Sequence, residues 1–535
     1  MSDIRTFDYV IVGAGSAGSI LANRLSEDPK VSVLVLEAGG SEKNMFVEMP
    51  AAFIKLINDP RFNWCFATQP AQSVNGRAIH FPRGKALGGS SAINGHLYVR
   101  GQSRDYDTWA QLGNRGWSYD DVLPYFKRSE YRPGGDADVR GQDGPLHVSD
   151  IHEKHPLCEA FIQGAHELGI PFDPDYNKGT QDGVSYYQRT IRNGRRWSAA
   201  HAFLRPAMQR PNVTVVTGAV VSEITFDGTR ATGLRYRHHG RLMQVTASRE
   251  VVLSAGTIAS PQLLQLSGIG PGELLRDIGV NVRHELAGVG EGFQDHYAVR
   301  VAARVKNHLT LNERARGLRL GWEVAKWMTS GKGLLAFSPA HVATFLKSMP
   351  HLDTPDLQFI FTPASYAEGQ IGALQPFPGM TTGTWQMRPE SKGYVRAQSA
   401  DPHVAPLIQP NYLAAETDQR ALVAGIQMCR RFLATDALKP YFDGETLPGV
   451  NIRNDDEILD YARSGGATVY HAVSSCRMGS DPMAVVDDQL RVKGLQSLRV
   501  IDASVMPTMP SANTNAATMM IAEKGVDLLK ATAKL

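Results

Sequence analysis

The sequence predicts an α/β fold in which one open sheet, revisited three times along the chain, interleaves with a second lobe. Three observations carry this. The N-terminus runs an apolar strand, the turn Gly13-Ala14-Gly15-Ser16-Ala17-Gly18 and a helix into a second apolar strand, Val31 to Leu36, which ends in Glu37, 19 residues beyond the last glycine. A group of short strands after Val213 closes in the small-residue turn Ser254-Ala255-Gly256-Thr257. Near the C-terminus, Leu498-Arg499-Val500-Ile501-Asp502-Ala503-Ser504 is another strand ending in an acid, followed by a helix from Asn515 to Leu529.

The first unit has the form of a dinucleotide site, and each residue has a physical task. Gly13 allows the tight turn out of the strand, Gly15 lets the backbone approach a pyrophosphate, and Gly18 lets the helix pack closely on the sheet. The helix N-terminus turns its free N–H groups and positive dipole end toward that anion. Glu37 accepts the hydroxyls of an adenosine ribose, so FAD or NAD is favoured over NADP, whose extra phosphate calls for an arginine.

The chain is long enough for two lobes and a buried cofactor, with 535 residues, 42% hydrophobic and 20% charged. A net charge of +3 is near neutral at this size and gives no support for a nucleic-acid partner or an acidic membrane surface. Four scattered cysteines, Cys65, Cys158, Cys429 and Cys476, have no paired or zinc-type spacing, so neither a disulfide framework nor a metal is expected. No leader and no transmembrane run of apolar residues is evident, which makes the cytoplasm the expected location, with peripheral membrane association left open.

Between the sheet elements, Gly84-Lys85-Ala86-Leu87-Gly88-Gly89-Ser90-Ser91-Ala92-Ile93-Asn94-Gly95 is a glycine and serine loop that offers backbone N–H groups to a second polar part of a ligand. Strands are expected at Val213 to Val216, Val220 to Phe226, Ala231 to Tyr236, Leu242 to Ser248 and Glu250 to Leu253, and a helix beginning at Pro261. Residues 300–460 alternate helices such as Leu318 to Met328 with strands such as Asp356 to Thr362 and carry no cofactor signature. They are the candidate substrate lobe.

Over essentially its full length the chain resembles the glucose-methanol-choline (GMC) family of FAD-dependent alcohol oxidoreductases. The segment from Gly84 to Asp107 looks like the family's first signature, and Gly256 to Gly270 like its second. The resemblance implies a Rossmann-like FAD-binding domain built from residues 1–150, 200–300 and 462–535, interleaved with an α+β substrate domain on an antiparallel sheet from residues 151–199 and 301–461. It places Gly13, Gly15, Ser16, Ala17 and Gly18 at the pyrophosphate, Glu37 and Ala38 at the ribose, and the backbone of Val221 at the adenine. Leu87, Gly89, Ser91, Asn94 and Gly95 fall toward the flavin, as does Trp64, while Ala255, Tyr470, Asp502, Ala503 and Thr514 complete the cofactor set. Some members attach FAD through a histidine where this chain has Ile93, so noncovalent FAD is expected, with His96 a poor substitute.

The resemblance also assigns the catalytic pair, His471 and Asn513. An alcohol releases hydride to flavin N5 as its hydroxyl proton departs, so a base must stand at the oxygen; histidine, with a reference pKa of about 6.5, suits that task. Asn513 donates to the developing alkoxide. Its neighbour Asn515 is expected only to cap the following helix. The chain departs from the family pattern at Ala472-Val473-Ser474-Ser475 and at Gly292, before Phe293-Gln294-Asp295-His296. The expected reaction is oxidation of a primary alcohol to an aldehyde, with a quinone, a redox protein or oxygen as acceptor. The alternative is a non-redox enzyme on the same scaffold, of hydroxynitrile lyase or fatty-acid photodecarboxylase type. Phe337, Phe361 and Tyr470 are candidate pocket aromatics that each read more readily as core than as substrate contacts.

Overall fold

The computed structural model describes residues 5–367 and 373–533. The strands Arg5–Val12 and Val33–Glu37 run side by side in parallel, Tyr9 opposite Val33 and Val12 opposite Leu36. Val213–Thr217 adds in parallel to the outer side of Val33–Glu37. Arg241–Leu253 lies on the other side of the first strand, and Leu498–Val500 pairs in parallel with its end. Val33–Glu37 is buried at every residue. Such two-sided burial explains why it reads as an unbroken apolar run. The hairpin Ala219–Asp227 and Arg230–His238 completes a seven-stranded sheet in antiparallel pairing.

Two expected boundaries are corrected. The segments read as separate strands at Leu242 to Ser248 and Glu250 to Leu253 form one strand of 13 residues. Phe7 faces Ala247 but Tyr9 faces Glu250, so the polar Ser248-Arg249 pair is a bulge and not a break. The helix expected to begin at Pro261 starts at Gly256 and carries Pro261 inside it. A proline there has no N–H for the carbonyl of Thr257 four residues earlier. That carbonyl instead accepts the Ser475 hydroxyl at 2.6 Å. The departure Ser474-Ser475 therefore repairs a helix beside the nucleotide sheet.

A second seven-stranded sheet is antiparallel throughout. Its order is Phe442–Leu447, Tyr297–Val305, Gly379–Gln386, Leu357–Thr362, Val342–Leu346 and Gly183–Tyr186, with Ala467–Thr468 also paired to Tyr297–Val305. The helices Pro156–Glu167 and Glu416–Leu433 cover its outer face through Phe161, Ile426 and Phe432. Phe361 stacks on Phe161 at 4.4 Å on that face, so it belongs to the core. The inner face packs Tyr187, Ala343, Phe345 and Trp385 against Val99 and Ala512 of the nucleotide-binding half. The two sheets thereby enclose the space in front of Asn513.

The terminal helix Asn515–Thr532 packs against Ser16–Leu25 and Tyr119–Ser129. Its fully buried Glu523 is held by Arg24 at 3.0 Å, Arg128 at 2.7 Å and the Ser129 hydroxyl at 2.9 Å. A buried carboxylate is tolerated only with such saturation. No helix among the described residues is long and apolar enough to cross a membrane.

Candidate active site

Five segments distant in sequence converge at the C-terminal edge of the nucleotide sheet. An added Cβ on Gly13 would lie 2.5 Å from the Ser254 carbonyl oxygen, and one on Gly18 would lie 1.9 Å from the Gly13 carbonyl oxygen. Gly89, at φ +51°, approaches so closely that its Cβ would stand 2.7 Å from Gly15 Cα. The Gly88 N–H donates to the Ala14 carbonyl at 2.8 Å, and the Leu87 N–H to Gly40 at 3.0 Å. The fingerprint and the glycine-serine loop thus form one cradle.

Two helices open into this cradle without capping side chains or first-turn acids, Ser16–Leu25 and Asn515–Thr532. The Ser16 hydroxyl donates to Asn515 Oδ1 at 2.7 Å and binds their first turns together. Asn515 is therefore a bridge and not the expected cap, since Thr514 occupies the cap position. Uncapped N–H groups and two aligned positive dipole ends suit a diphosphate. Glu37, raised in pKa by burial, accepts the N–H groups of Ala14 at 2.9 Å and Gly39 at 2.8 Å. Each carboxylate oxygen keeps a lone pair for a ribose hydroxyl. The residues fit an adenosine diphosphate moiety.

Ala38 follows Glu37, and the Gly218 N–H donates to the Gly39 carbonyl at 2.9 Å, just before the strand Ala219–Asp227 that bears Val221. Asp502 is more occupied than a simple ligand would be. Its two oxygens take the Gly256 N–H at 2.9 Å, the Ser260 hydroxyl at 2.6 Å, the Ser504 N–H at 2.8 Å and the Ser504 hydroxyl. It fixes the turn at Ala255 and Ala503 and aims their backbone.

Toward the other end, the Ser91 hydroxyl is tied to the Gly88 carbonyl and the Ala199 N–H. Arg196, which sequence reasoning missed, lies beneath this loop, 1% exposed, and donates to the carbonyls of Val47, Ser91 and Asn94 and to Asn94 Oδ1. Gly95 leaves room for Pro339, whose Cγ an added Cβ would meet at 2.5 Å. Ile93 is packed with Val47, Leu56 and Phe62. Trp64 stacks on Phe66 at 5.7 Å beside the cluster containing Ala472, and Lys85 Nζ of the glycine-serine loop stands 4.6 Å over its ring. Tyr470 holds a left-handed φ of 69°, a strained setting that turns the chain into His471.

His471 and Asn513 meet directly. Asn513 Nδ2 lies 2.9 Å from His471 Nε2, and His471 Nδ1 lies 2.9 Å from Nδ1 of His296. The protons in this chain follow from one fixed acceptor, the Met387 carbonyl, 2.6 Å from His296 Nε2. A carbonyl only accepts, so His296 carries its proton on Nε2 and offers Nδ1 as a lone pair. His471 must then donate from Nδ1, which leaves its Nε2 as a lone pair toward Asn513. His471 is a neutral base aimed into the space between the sheets.

Burial, then the neighbouring His296 and Arg83, hold its pKa well below the ordinary histidine range; burial holds His296 to about 4. The main chain is clamped as well. The His471 N–H donates to Asp295 at 2.7 Å, and the same buried carboxylate takes the hydroxyls of Thr468 and Tyr412. Sequence reasoning passed over Asp295 and His296 because their partners lie 173–176 positions downstream in three of these bonds, and no local period marks such a contact. Replacing His296 by Phe is expected to free the His471 tautomer and slow flavin reduction at least about tenfold with the fold retained, as for lost tautomer-fixing partners elsewhere. Stopped-flow reduction with flavin content measured alongside checks this.

The chain has counterparts among known proteins. The N-terminal and C-terminal GMC oxidoreductase models match residues 7–298 and 389–522. The chain is 41% identical to mitochondrial choline dehydrogenase of Homo sapiens, covering 98% of this chain and 90% of that one. It is 39% identical to alcohol dehydrogenase [acceptor] of Pseudomonas putida, covering 98% and 95%. A formate oxidase of Aspergillus oryzae RIB40, described for its FAD modification, superposes with a TM-score of 0.93 over all of both chains at 26% identity. The chain belongs to the GMC oxidoreductases, FAD-dependent enzymes that act on CH–OH donors.

Proposed function

We propose that the enzyme oxidises a primary alcohol to an aldehyde, with His471 taking the hydroxyl proton and Asn513 holding the oxygen. The single observation that carries this is the fixed tautomer chain, which presents an unprotonated Nε2 beside an amide donor. Bound FAD supplies the hydride acceptor and the electron outlet. The protein's part is orientation and proton removal. As the alcohol binds, its hydroxyl donates to His471 Nε2, and Asn513 Nδ2 turns a hydrogen toward the oxygen as negative charge builds there. FAD is held noncovalently, because Ile93 offers no nucleophile, and acid precipitation should release it.

The sheet face opposite the pair narrows the substrate. Ala298, Trp385 and Gln358 are register neighbours on three strands, and Arg300, Gly383 and Ile360 form the next rank on the same face. Trp385 stands 6.0 Å from the His471 ring, and Gln358 Nε2 lies 3.4 Å from Asn513 Oδ1. Gln358 Oε1 and Trp385 Nε1 have no hydrogen-bond partner among the described residues and are available to a polar substrate. Neither rank carries a carboxylate; its one charge is the exposed Arg300. Asp295 is already occupied by its three donors.

A quaternary ammonium alcohol would find no counter-charge here. The uncharged isostere of choline, with tert-butyl in place of trimethylammonium, is expected to reduce the flavin with a kcat/KM at least about tenfold above choline's, ~1.4 kcal/mol. Preference for choline would contradict the reading of this face. Anaerobic mixing with aliphatic, aromatic and polyether alcohols tests the reaction itself, and later admission of oxygen or a soluble quinone assigns the acceptor. Oxidised flavin throughout the panel would overturn the proposal.

A further inference from the structure

Helix Gly317–Ser330 is apolar on two opposite faces. Leu320, Val324 and Trp327 pack with Met49, Ala52 and Leu335. Leu318, Trp322 and Ala325 recur four and three residues apart on the opposite stripe and face outward. Leu318 is 96% exposed, Trp322 72% and Met328, beside the stripe, 64%. A helix that is apolar all round belongs in an interior, so this outer stripe calls for a covering surface.

The charges around it identify the kind of surface. Arg319 and Lys332 are exposed along and beyond the helix, while Arg316 at its start donates to the carbonyls of Leu374, Gln375 and Pro376. Its single acid, Glu323, is buried, bound to Arg314 at 2.7 Å and to the Leu334 N–H at 2.8 Å. Lys326 is paired with Glu153 at 3.0 Å. The outward face therefore presents only positive charge of its own around an apolar stripe. A second copy of this chain, meeting it face to face, would bring the same charges together. An anionic bilayer surface complements both parts: leucine, methionine and tryptophan enter the headgroup boundary while arginine and lysine reach the phosphates.

We propose that helix Gly317–Ser330 seats the protein on an anionic bilayer surface, lying in the interface plane. The helix is linked along the chain to the candidate site. The chain leaves it through Leu334–Ala336 and reaches Pro339, which lies against Gly95 of the flavin loop. Exposed Met45 and Phe46 belong to the segment whose Met49 packs under the same helix.

The test is co-sedimentation of the FAD-loaded protein with sucrose-filled vesicles of phosphatidylcholine alone or with added phosphatidylglycerol. Wild type is expected to pellet with the anionic vesicles and to be released by high salt. The double variant Leu318→Glu, Trp322→Glu should lose about tenfold or more of its bound fraction while keeping its flavin and its reduction rate with a water-soluble alcohol. Arg319→Glu with Lys332→Glu should weaken binding without altering the apolar stripe. Wild type that stays in the supernatant overturns the proposal, as does double-variant pelleting equal to wild type. Equal pelleting with neutral vesicles overturns the anionic assignment. A dimer that the double variant dissolves, with no vesicle binding, assigns the stripe to a second copy and overturns it too.

Discussion

Replacing His471 by Ala is expected to slow anaerobic flavin reduction about a hundredfold to ten-thousandfold, with FAD still bound. That range is what a positioned general base contributes. The cofactor should remain because the cradle from Gly13 to Gly18, Glu37 and the Gly84 loop shares no hydrogen bond with the His471 ring. The pH profile adds a second readout. A base works unprotonated, and burial lowers the pKa of His471, so protonation removes activity only at lower pH than for a free histidine. The acid limb of kcat/KM should therefore fall below about 6.5, the unperturbed value. A limb at or above that value, or an unslowed Ala variant, would assign the proton to another group.

Gly89→Ala is expected to yield a folded protein that purifies nearly free of flavin. Gly89 sits at φ +51°, where an L side chain is strained, and its new Cβ would press on Gly15 Cα, backbone against backbone. Relief requires separating the glycine-serine loop from the fingerprint, the two halves of the proposed diphosphate cradle. Gly40→Ala is the control, since nothing lies within 4 Å of its added Cβ and its φ is ordinary. Flavin-to-protein absorbance ratios should fall about tenfold or more for the first variant and stay unchanged for the second. Full flavin content in Gly89→Ala would remove that loop from the cofactor site.

The nucleotide half was legible because its signals are local: a glycine turn between two apolar strands announces its own geometry within some thirty residues. The helix at Gly256 was misplaced because Pro261 usually begins a helix, and the compensating Ser475 hydroxyl comes from 218 residues away. Strand Arg241–Leu253 was split because a bulge and a turn look alike in polar residues. His471 and Asn513 were named through the family resemblance, yet the relay that makes His471 a base was hidden. Its members are His296 and the Met387 carbonyl, and a main-chain acceptor leaves no mark in a sequence. Arg196 ends the basic run Arg192-Asn193-Gly194-Arg195-Arg196, in which nothing local tells a buried arginine from an exposed one; its burial beneath Ser91 and Asn94 separates it from its neighbours. Helix Gly317–Ser330 was found in place, but which of its apolar faces is inside depends on Met49 and Leu335, outside the helix itself.

The claim at the centre is that an alcohol's carbon-bound hydrogen leaves in the same step that reduces the flavin, with His471 holding the hydroxyl proton. Anaerobic stopped-flow reduction of the FAD-loaded enzyme by one primary alcohol, with hydrogen or deuterium at the carbinol carbon, tests it most directly. Full bleaching of the flavin, one aldehyde formed per flavin and a several-fold slower rate with deuterium are expected. A flavin that stays oxidised, or bleaching without aldehyde, would contradict it.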